Sequence, residues 1–198
     1  MKKIYLTLLA LVMTLAVANA QFTKLGGGLG FTTGYIFHNM DYDYNKSGNL
    51  NIFAKGIYEL SLPIHFSPSI TYMPHLYKDP AGEFKTFIST LMFDINGHYV
   101  FNSLDRMEFY GLAGIDVLLA FKKDVSSIAG AADEVFKEKD NAFGLNIGAG
   151  SYIKLTEQMD LSVEAKYLLS KIGYRQFMIN AGVLLNLQWL NKNENQEY

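Results

Sequence analysis

Long segments in which apolar and polar residues alternate make up most of the chain after residue 20. In the segment Phe177–Trp189, every odd position is apolar, whereas most even positions hold Asn, Gly or Gln. A period of two residues is typical of β-strands with one apolar face. Turn residues separate the segments, which together predict eight strands. Their expected bounds are Thr23–His38, Asn51–Phe66, Ile70–Tyr77, Phe84–Phe101, Met107–Lys122, Ala142–Leu155, Asp160–Ser170 and Phe177–Trp189.

The lengths of these strands and of their connections indicate a membrane barrel. Strands of soluble proteins average about 5–6 residues, whereas a strand that crosses a bilayer needs about 9–11. Several predicted strands exceed both lengths. Short turns and longer connections alternate along the chain, as in outer-membrane barrels with short periplasmic turns and longer extracellular loops. The short turns are expected at 67–69, 102–106 and 156–159, and the longer connections at 40–50, 78–83, 123–141 and 171–176.

The two faces of the predicted strands favour lipid outside and a small polar interior. The polar face is rich in Gly and Asn, which suit the crowded interior of an eight-stranded barrel, whereas a water-exposed face would normally hold more Lys and Glu. Aromatic residues of the apolar face gather near strand ends, as in the interfacial girdles of membrane barrels. The expected girdle residues are Tyr35, Phe37, Phe66, Tyr99, Phe101, Phe121, Phe177 and Trp189. The predicted fold is therefore all-β, an eight-stranded antiparallel up-and-down transmembrane β-barrel over residues 21–190, followed by a polar tail at 191–198.

The first 20 residues have the pattern of a secretory signal peptide. Lys2 and Lys3 form a basic head, residues 4–17 form an apolar stretch, and Ala18-Asn19-Ala20 is an A-x-A cleavage site. The apolar stretch is short for a membrane anchor. The sequence thus predicts that residues 1–20 are cleaved after export.

Composition narrows the functional classes. The chain has no cysteine, which excludes disulfides and thiolate metal sites. Its formal net charge is −2, so the chain lacks the excess of positive charge that is typical of nucleic-acid-binding proteins. No cofactor and no nucleic-acid partner are predicted.

Several charged residues fall on the predicted inward face. Buried charges must be paired or hydrogen-bonded, so they are expected to form an interior network. Counting from the predicted periplasmic turns places Glu59, Asp94, Asp116 and Lys166 near mid-height, and Lys55 slightly above. The network is either a polar plug that keeps the barrel closed or a gated path for ions or protons. Its expected members are Lys55, Glu59, Asp94, Asp116, Glu164 and Lys166.

Two predicted extracellular loops carry candidate binding residues. The first, at 40–50, opens with Asp41-x-Asp43, which resembles the start of a calcium loop but lacks its Gly and final Glu. The second, at 123–141, has apolar residues at helix-like spacing and is predicted to be a short helix or a mobile acidic loop. The candidate binding residues of the two loops are Asp41, Asp43, Asp133, Glu134, Val135 and Phe136.

The evidence for catalytic or metal-binding residues in the sequence is weak. The four histidines fall on different predicted strands, and a pair of histidines without a third ligand is poor evidence for a metal site. The Asp-x-His element of known barrel proteases is absent. The sequence therefore predicts a non-enzymatic protein with no metal site.

Three segments carry a resemblance to a known family: Gly26–Phe31, Phe143–Gly150 and Asn180–Val183. With the alternation of the whole chain, they resemble the small eight-stranded outer-membrane β-barrel proteins of Gram-negative bacteria, the group of OmpX-like and OmpA-transmembrane-domain-like barrels. The resemblance implies residence in the bacterial outer membrane, contact with its lipid and insertion by the barrel-assembly machinery. The segment Val183–Trp189 is similar to the family's C-terminal insertion signal, although Asn191–Tyr198 follow it.

Three functional hypotheses follow. The first is a closed, non-enzymatic and monomeric barrel that serves envelope integrity, adhesion or partner binding through its extracellular loops. The second is a narrow channel for ions or very small solutes. The third is a lipid-modifying or proteolytic barrel enzyme.

Overall fold

The chain forms a closed antiparallel barrel of eight strands in the computed structural model, which describes residues 22–33, 48–61, 63–78, 84–126, 134–170 and 175–187. Each strand is hydrogen-bonded to the next along the chain, and β8 returns to pair with β1. This confirms the predicted up-and-down barrel. The strands are β1 (Lys24–Thr32), β2 (Asn49–Ser61), β3 (Ile64–Lys78), β4 (Phe84–Leu104), β5 (Met107–Ser126), β6 (Glu134–Lys154), β7 (Met159–Ser170) and β8 (Arg175–Asn186).

Alternate side chains point to opposite faces of the barrel wall. In β6, Leu145 and Ile147 are 55% and 60% exposed, whereas Asn146 between them is 3% exposed. The apolar face therefore points outward and the polar face inward, the arrangement of a membrane barrel. Among the described residues, no helix is long and apolar enough to cross a membrane.

The turn between β2 and β3 lies five residues earlier than the sequence pattern indicates. The predicted turn at 67–69 is wrong, because β2 ends at Ser61 and β3 begins at Ile64. Pro68 lies within β3, opposite Ile95 of β4. On its other side, the β2–β3 pairing runs to Lys55↔Ser69 and resumes at Tyr58↔Phe66, so two residues of each strand are unpaired. A proline without an N–H is tolerated where the ladder is interrupted in this way.

Two neighbouring strands, β5 and β6, are longer than predicted at the ends that the long connection 127–133 joins. β5 continues to Ser126 and β6 begins at Glu134, in a ladder that includes Val125↔Val135. The predicted helix-like loop at 123–141 is therefore wrong for its described residues. β4 pairs with β5 up to Phe84↔Ser126, so the ladder gains support on both sides of β5. A short isolated helix has no such support, because its nucleation is costly.

A close approach of β1 to β8 closes the barrel. Gly28 lies opposite Gly182. A Cβ atom added at Gly28 would lie 2.1 Å from the carbonyl oxygen of Ala181 and 2.4 Å from the Cα atom of Gly182. Only glycine allows the two backbones to meet at this point.

The interior is layered. An apolar layer near the outer end consists of Met73, Met92, Leu118, Ala142, Leu168 and Met178. A second layer, nearer the end with the short turns, consists of Ile57, Val100, Tyr110, Leu112, Tyr152 and Leu184. All twelve side chains are less than 9% exposed. Buried charged residues lie between the two layers.

Candidate functional site

Lys166 of β7 is at the centre of the charged layer. Its Nζ atom lies 3.0 Å from Oδ2 of Asp94 on β4 and 3.9 Å from Oε1 of Glu164. Asp94 also accepts hydrogen bonds from Ser69, at 2.8 Å, and from Asn96. Lys166 and Asp94 are 1% and 2% exposed. A buried ion pair whose carboxylate is also hydrogen-bonded fits the requirement for placing charge inside a protein.

Glu164 joins a second buried cation to the same layer. Its Oε2 atom lies 3.0 Å from Nζ of Lys55 and accepts a hydrogen bond of 3.1 Å from the hydroxyl of Tyr110. Nε2 of His98 lies 4.0 Å from the same oxygen. Glu164 of β7 therefore contacts side chains of three other strands, β2, β4 and β5, across the barrel.

Asp116 occupies the same layer beside Asp94. The two residues face each other across the β4–β5 ladder. On the β6 side, Gly144 leaves room for the carboxylate, because a Cβ atom there would lie 2.7 Å from Oδ1 of Asp116. Across the layer, three carboxylates accompany the two lysines Lys55 and Lys166.

Glu59 does not belong to this layer. Its Oε1 atom lies 3.3 Å from Nζ of Lys24, which also contacts Oδ2 of Asp160 at 2.9 Å. This group lines a cavity of about 230 Å³ at the mouth of the barrel where the short turns lie. The mid-height position expected for Glu59 is wrong, because β2 ends at Ser61 and places Glu59 at the end of its strand.

Sequence reasoning missed the aromatic side chains inside the barrel. The ring of Tyr110 stacks on those of His98 and Tyr152, with centroid distances of 4.3 Å and 4.5 Å. The Tyr152 hydroxyl and Nδ1 of His98 are 2.7 Å apart. Gly150 makes room for this stack, because a Cβ atom there would lie 2.4 Å from the Tyr110 hydroxyl. The alternation of the strands could have identified them. Tyr110 and Tyr152 have even numbers, as do the other inward-facing residues of β5 and β6.

The outer ends of β4, β5 and β6 carry the second candidate surface. β6 begins at Glu134, well beyond Gly144, the last of its residues that pairs with β7. Val135 and Phe136 are 48% and 63% exposed. They point to opposite faces of the strand, so they do not form the single apolar patch that their adjacency suggests. Phe136 has the parity of the inward face and Val135 that of the outward face.

A polar rim adjoins Phe136 on the inward face. Asp124 is its cross-strand neighbour. The Thr86 hydroxyl donates a hydrogen bond of 2.7 Å to Oδ1 of Asp124, and Nζ of Lys122 lies 2.9 Å from its Oδ2. An exposed aromatic side chain therefore lies beside a fixed set of polar groups.

The remaining predicted site residues divide between the described part of the chain and the rest. Five of the expected girdle aromatics are exposed on the outward face: Phe66, Tyr99, Phe101, Phe121 and Phe177. Glu134 pairs with Ser126 at the start of β6. Six of the predicted site residues lie outside the described residues: Tyr35, Phe37, Asp41, Asp43, Asp133 and Trp189. Within the described ranges, no group of three His, Cys, Asp or Glu side chains has a geometry that would hold a metal ion.

An apolar outer wall around a charged layer, itself enclosed between two apolar layers, defines a small transmembrane β-barrel protein. The sequence matches the outer membrane protein beta-barrel domain over residues 5–186, and the chain belongs to this family. It is therefore a protein of the bacterial outer membrane. No curated protein matches the sequence at a significant level.

Solved structures share the fold at low sequence identity. Ail, the attachment invasion locus protein of Yersinia pestis, in complex with the heparin analogue sucrose octasulfate, is 15% identical over 82% of this chain and 94% of its own, with a TM-score of 0.53. A major outer membrane protein from Thermus thermophilus is 8% identical over 82% of this chain and 98% of its own, with a TM-score of 0.57. Neisserial surface protein A is 12% identical over 82% and 94%, with a TM-score of 0.50.

Proposed function

We propose that the protein is a closed, non-enzymatic barrel that acts at the cell surface, in adhesion or partner binding, with a supporting role in envelope integrity. The observation that carries this proposal is Phe136, which is 63% exposed beyond the enclosed interior. An exposed aromatic anchor with a polar rim is the usual arrangement of an energetically dominant contact in a protein interface. Thr86, Lys122 and Asp124 supply that rim.

The layered interior favours a closed barrel over the narrow channel. An ion that crossed the lumen would have to leave water and pass both apolar layers. Unpaired charge in such surroundings costs several kcal/mol or more. The charged layer also has its own internal partners, at 3.0 Å for both Lys55 and Lys166. In planar bilayers we therefore expect no conductance steps from the intact protein, and steady single-channel currents would contradict the closed interior.

An enzymatic role has little support in the described residues. His65 and Ser67 of β3 are residue types that can act as a base and a nucleophile, but both are buried inside the barrel. A lipid or peptide substrate would have to enter the enclosed lumen to reach them. Measurement of lipid A and peptide turnover by the purified barrel tests this directly, and turnover above the background of an unrelated barrel would overturn the non-enzymatic assignment.

The surface-binding proposal is tested with Phe136→Ser. Cells that display the protein are compared for attachment to heparin-coated wells and to epithelial monolayers; heparin is included because the Ail barrel binds a heparin analogue. Loss of an anchor that contributes about 2 kcal/mol or more lowers the affinity about 30-fold. We therefore expect attachment to fall nearly to that of the deletion strain. Glu138→Ser is the matched control on the same strand and face, and rim charges contribute little.

The outcome also distinguishes adhesion from a purely structural role. If cells with Phe136→Ser attach normally while the deletion strain does not, Phe136 is not the anchor. If the deletion strain attaches normally but becomes sensitive to detergent, the protein serves envelope integrity alone.

A further inference from the structure

The cavity at the mouth with the short turns has no part in the proposed surface binding. Its volume is about 230 Å³. The connections at this end, at 62–63, 105–106 and 155–158, are short, and outer-membrane barrels have their short turns on the periplasmic side. The cavity, here called the mouth cavity, therefore opens to the periplasm, at the opposite end of the barrel from Phe136.

Acidic side chains outnumber basic ones in the lining of the mouth cavity. The basic side chains are those of Lys24, Arg106 and Lys154. The acidic side chains are those of Glu59, Asp105, Glu108, Glu157 and Asp160. A cleft with an excess of one charge raises the local concentration of ions of the opposite sign. The lining therefore favours a cationic ligand over an anionic one.

Glu108 of β5 carries a charge that no other side chain compensates. Its carboxylate makes no hydrogen bond or ion pair with the residues that the structure describes, and its Oε2 atom is shielded from solvent. Lys24, the least exposed cation of the lining, is held by Asp160 at 2.9 Å and by Glu59 at 3.3 Å. A carboxylate that has lost part of its hydration without gaining a partner is energetically costly. A cation bound in the mouth cavity would offset that cost.

His65 of β3 is a second buried group without a partner at this end of the barrel. It lies opposite Glu59 in the β2–β3 ladder and is 2% exposed. Its Nδ1 atom has no hydrogen-bond partner among the described residues, and its electrostatic neighbours include Glu59 and Glu108. In the tautomer with the proton on Nε2, Nδ1 is an acceptor. An ammonium group has three donors, enough for the Glu108 carboxylate and for a neighbouring acceptor of this kind.

The size and the donor set of the mouth cavity favour an organic cation over a metal ion. Within the described ranges, no three His, Cys, Asp or Glu side chains have a geometry that would hold a metal. A volume of about 230 Å³ corresponds to about eight water molecules of about 30 Å³ each, so a linear ligand of about seven non-hydrogen atoms fits it. We propose that the mouth cavity binds a short aliphatic diamine, with one ammonium group at Glu108 and the other at the exposed carboxylates of Asp105 and Glu157 on the rim.

The proposal is tested by titrating cadaverine, a diamine of the expected length, into the folded barrel in zwitterionic micelles and following the heat of binding. Glu108→Gln keeps the shape of the side chain and removes its charge. Hydrogen bonds to charged groups change an affinity about tenfold or more. We therefore expect saturable binding by the unmodified barrel and a Kd at least about tenfold higher for Glu108→Gln. The variant should remain a folded, heat-modifiable barrel without ligand, because the charge that it loses has no partner.

Two control variants separate the mouth cavity from general electrostatic attraction. Glu138→Gln makes the same substitution at an exposed position near the opposite end of the barrel and should bind cadaverine like the unmodified protein. Arg106→Gln/Lys154→Gln removes two cations from the lining and should bind cadaverine more tightly. Equal binding by Glu108→Gln and the unmodified barrel would overturn the proposal. A loss of stability of Glu108→Gln without ligand would also overturn it, because the carboxylate would then have a partner within the barrel.

Three control ligands test the chemical class of the occupant on the unmodified barrel. Pentanediol has the same length without charge and should not bind. Equal binding of Mg²⁺ would reduce the mouth cavity to a general cation site. Equal binding of a lysine capped at both its amino and carboxyl ends would assign the site to a side chain of a periplasmic protein. Either of these last two results overturns the diamine assignment and leaves the proposed surface binding through Phe136 untouched.

Discussion

Replacement of Lys166 by methionine tests whether the charged layer holds the barrel together. Lys166→Met removes the charge and keeps most of the side-chain length, so it creates little cavity. Asp94, 3.0 Å from the Lys166 Nζ atom, then loses its ion-pair partner. Glu164 loses a second contact at 3.9 Å but keeps Lys55 at 3.0 Å. One lysine remains with three buried carboxylates.

The size of the effect follows from burial. Removal of one partner of a buried ion pair costs about 3–5 kcal/mol, because the other charge is left without compensation. Asp94 keeps its hydrogen bonds from Ser69 and Asn96, which places the expected loss near the lower limit. We expect the free energy of unfolding to fall by about 3 kcal/mol. Lys166→Met/Asp94→Asn should recover part of this loss, because the uncompensated charge is gone.

The assay is reversible urea unfolding in phospholipid vesicles, followed by intrinsic fluorescence and by heat-modifiable migration on gels. Lys122→Met is the matched control: its ion pair with Asp124 is just as short, at 2.9 Å, but partly exposed. Exposed pairs contribute about 0–1 kcal/mol. If Lys166→Met and Lys122→Met lower stability equally, and both by less than about 1 kcal/mol, the charged layer does not stabilise the barrel.

Two further predictions concern the interior stack and the start of the mature chain. Gly150→Ala should displace the Tyr110 hydroxyl, which would lie 2.4 Å from the added Cβ atom, and lower the free energy of unfolding by about 1–3 kcal/mol. Gly111→Ala is the control and should be nearly neutral, because its added Cβ atom would have no other atom within 4 Å. Equal effects of the two substitutions would contradict this account of the stack. The mature protein should begin at Gln21, because Ala18-Asn19-Ala20 forms the expected cleavage site; mass spectrometry of outer-membrane fractions that found residues 1–20 retained would contradict it.

The strand number and the two faces could be predicted because alternation is a local property. Each strand of the barrel has one lipid-facing and one inward-facing row, so its sequence alone reveals its faces. The turn after β2 could not be placed in this way. Ser67-Pro68-Ser69 has the composition of a turn, yet it lies within β3, where the interrupted ladder accommodates a residue without an N–H.

The outer hairpin shows how tertiary pairing overrides a local pattern. Apolar residues of the segment 123–141 recur at helix-like spacing, but the described part of that segment is paired on both strands of the hairpin. β5 also pairs with β4 as far as Phe84↔Ser126, and no local signal in the hairpin reports the presence of that third strand. The preference of a segment for helix or strand has little influence where the segment can pair with a neighbouring strand on each side.

The interior contacts are harder still to predict, because they cross the barrel. Lys55 on β2 meets Glu164 on β7, and Lys166 on β7 meets Asp94 on β4, although neither pair of strands is adjacent in the sheet. Alternation identifies all four residues as inward-facing. The stagger of the strands decides which heights meet across the lumen, and that stagger is a property of the closed barrel rather than of any one strand.

Layering also explains why inward charges form two different kinds of group. Lys24 and Glu59 lie at the periplasmic mouth, where the side chain of Glu59 is 31% exposed and water can solvate it. Lys166 lies between two apolar layers and is 1% exposed, so bulk water cannot reach it from either end. Only protein groups can then compensate its charge, and the cost of leaving it unpaired is correspondingly high. The same residue types on the same face therefore have different energetic roles. We expect replacement of Lys24 to lower stability much less than replacement of Lys166, although Lys24 contacts two carboxylates within salt-bridge distance.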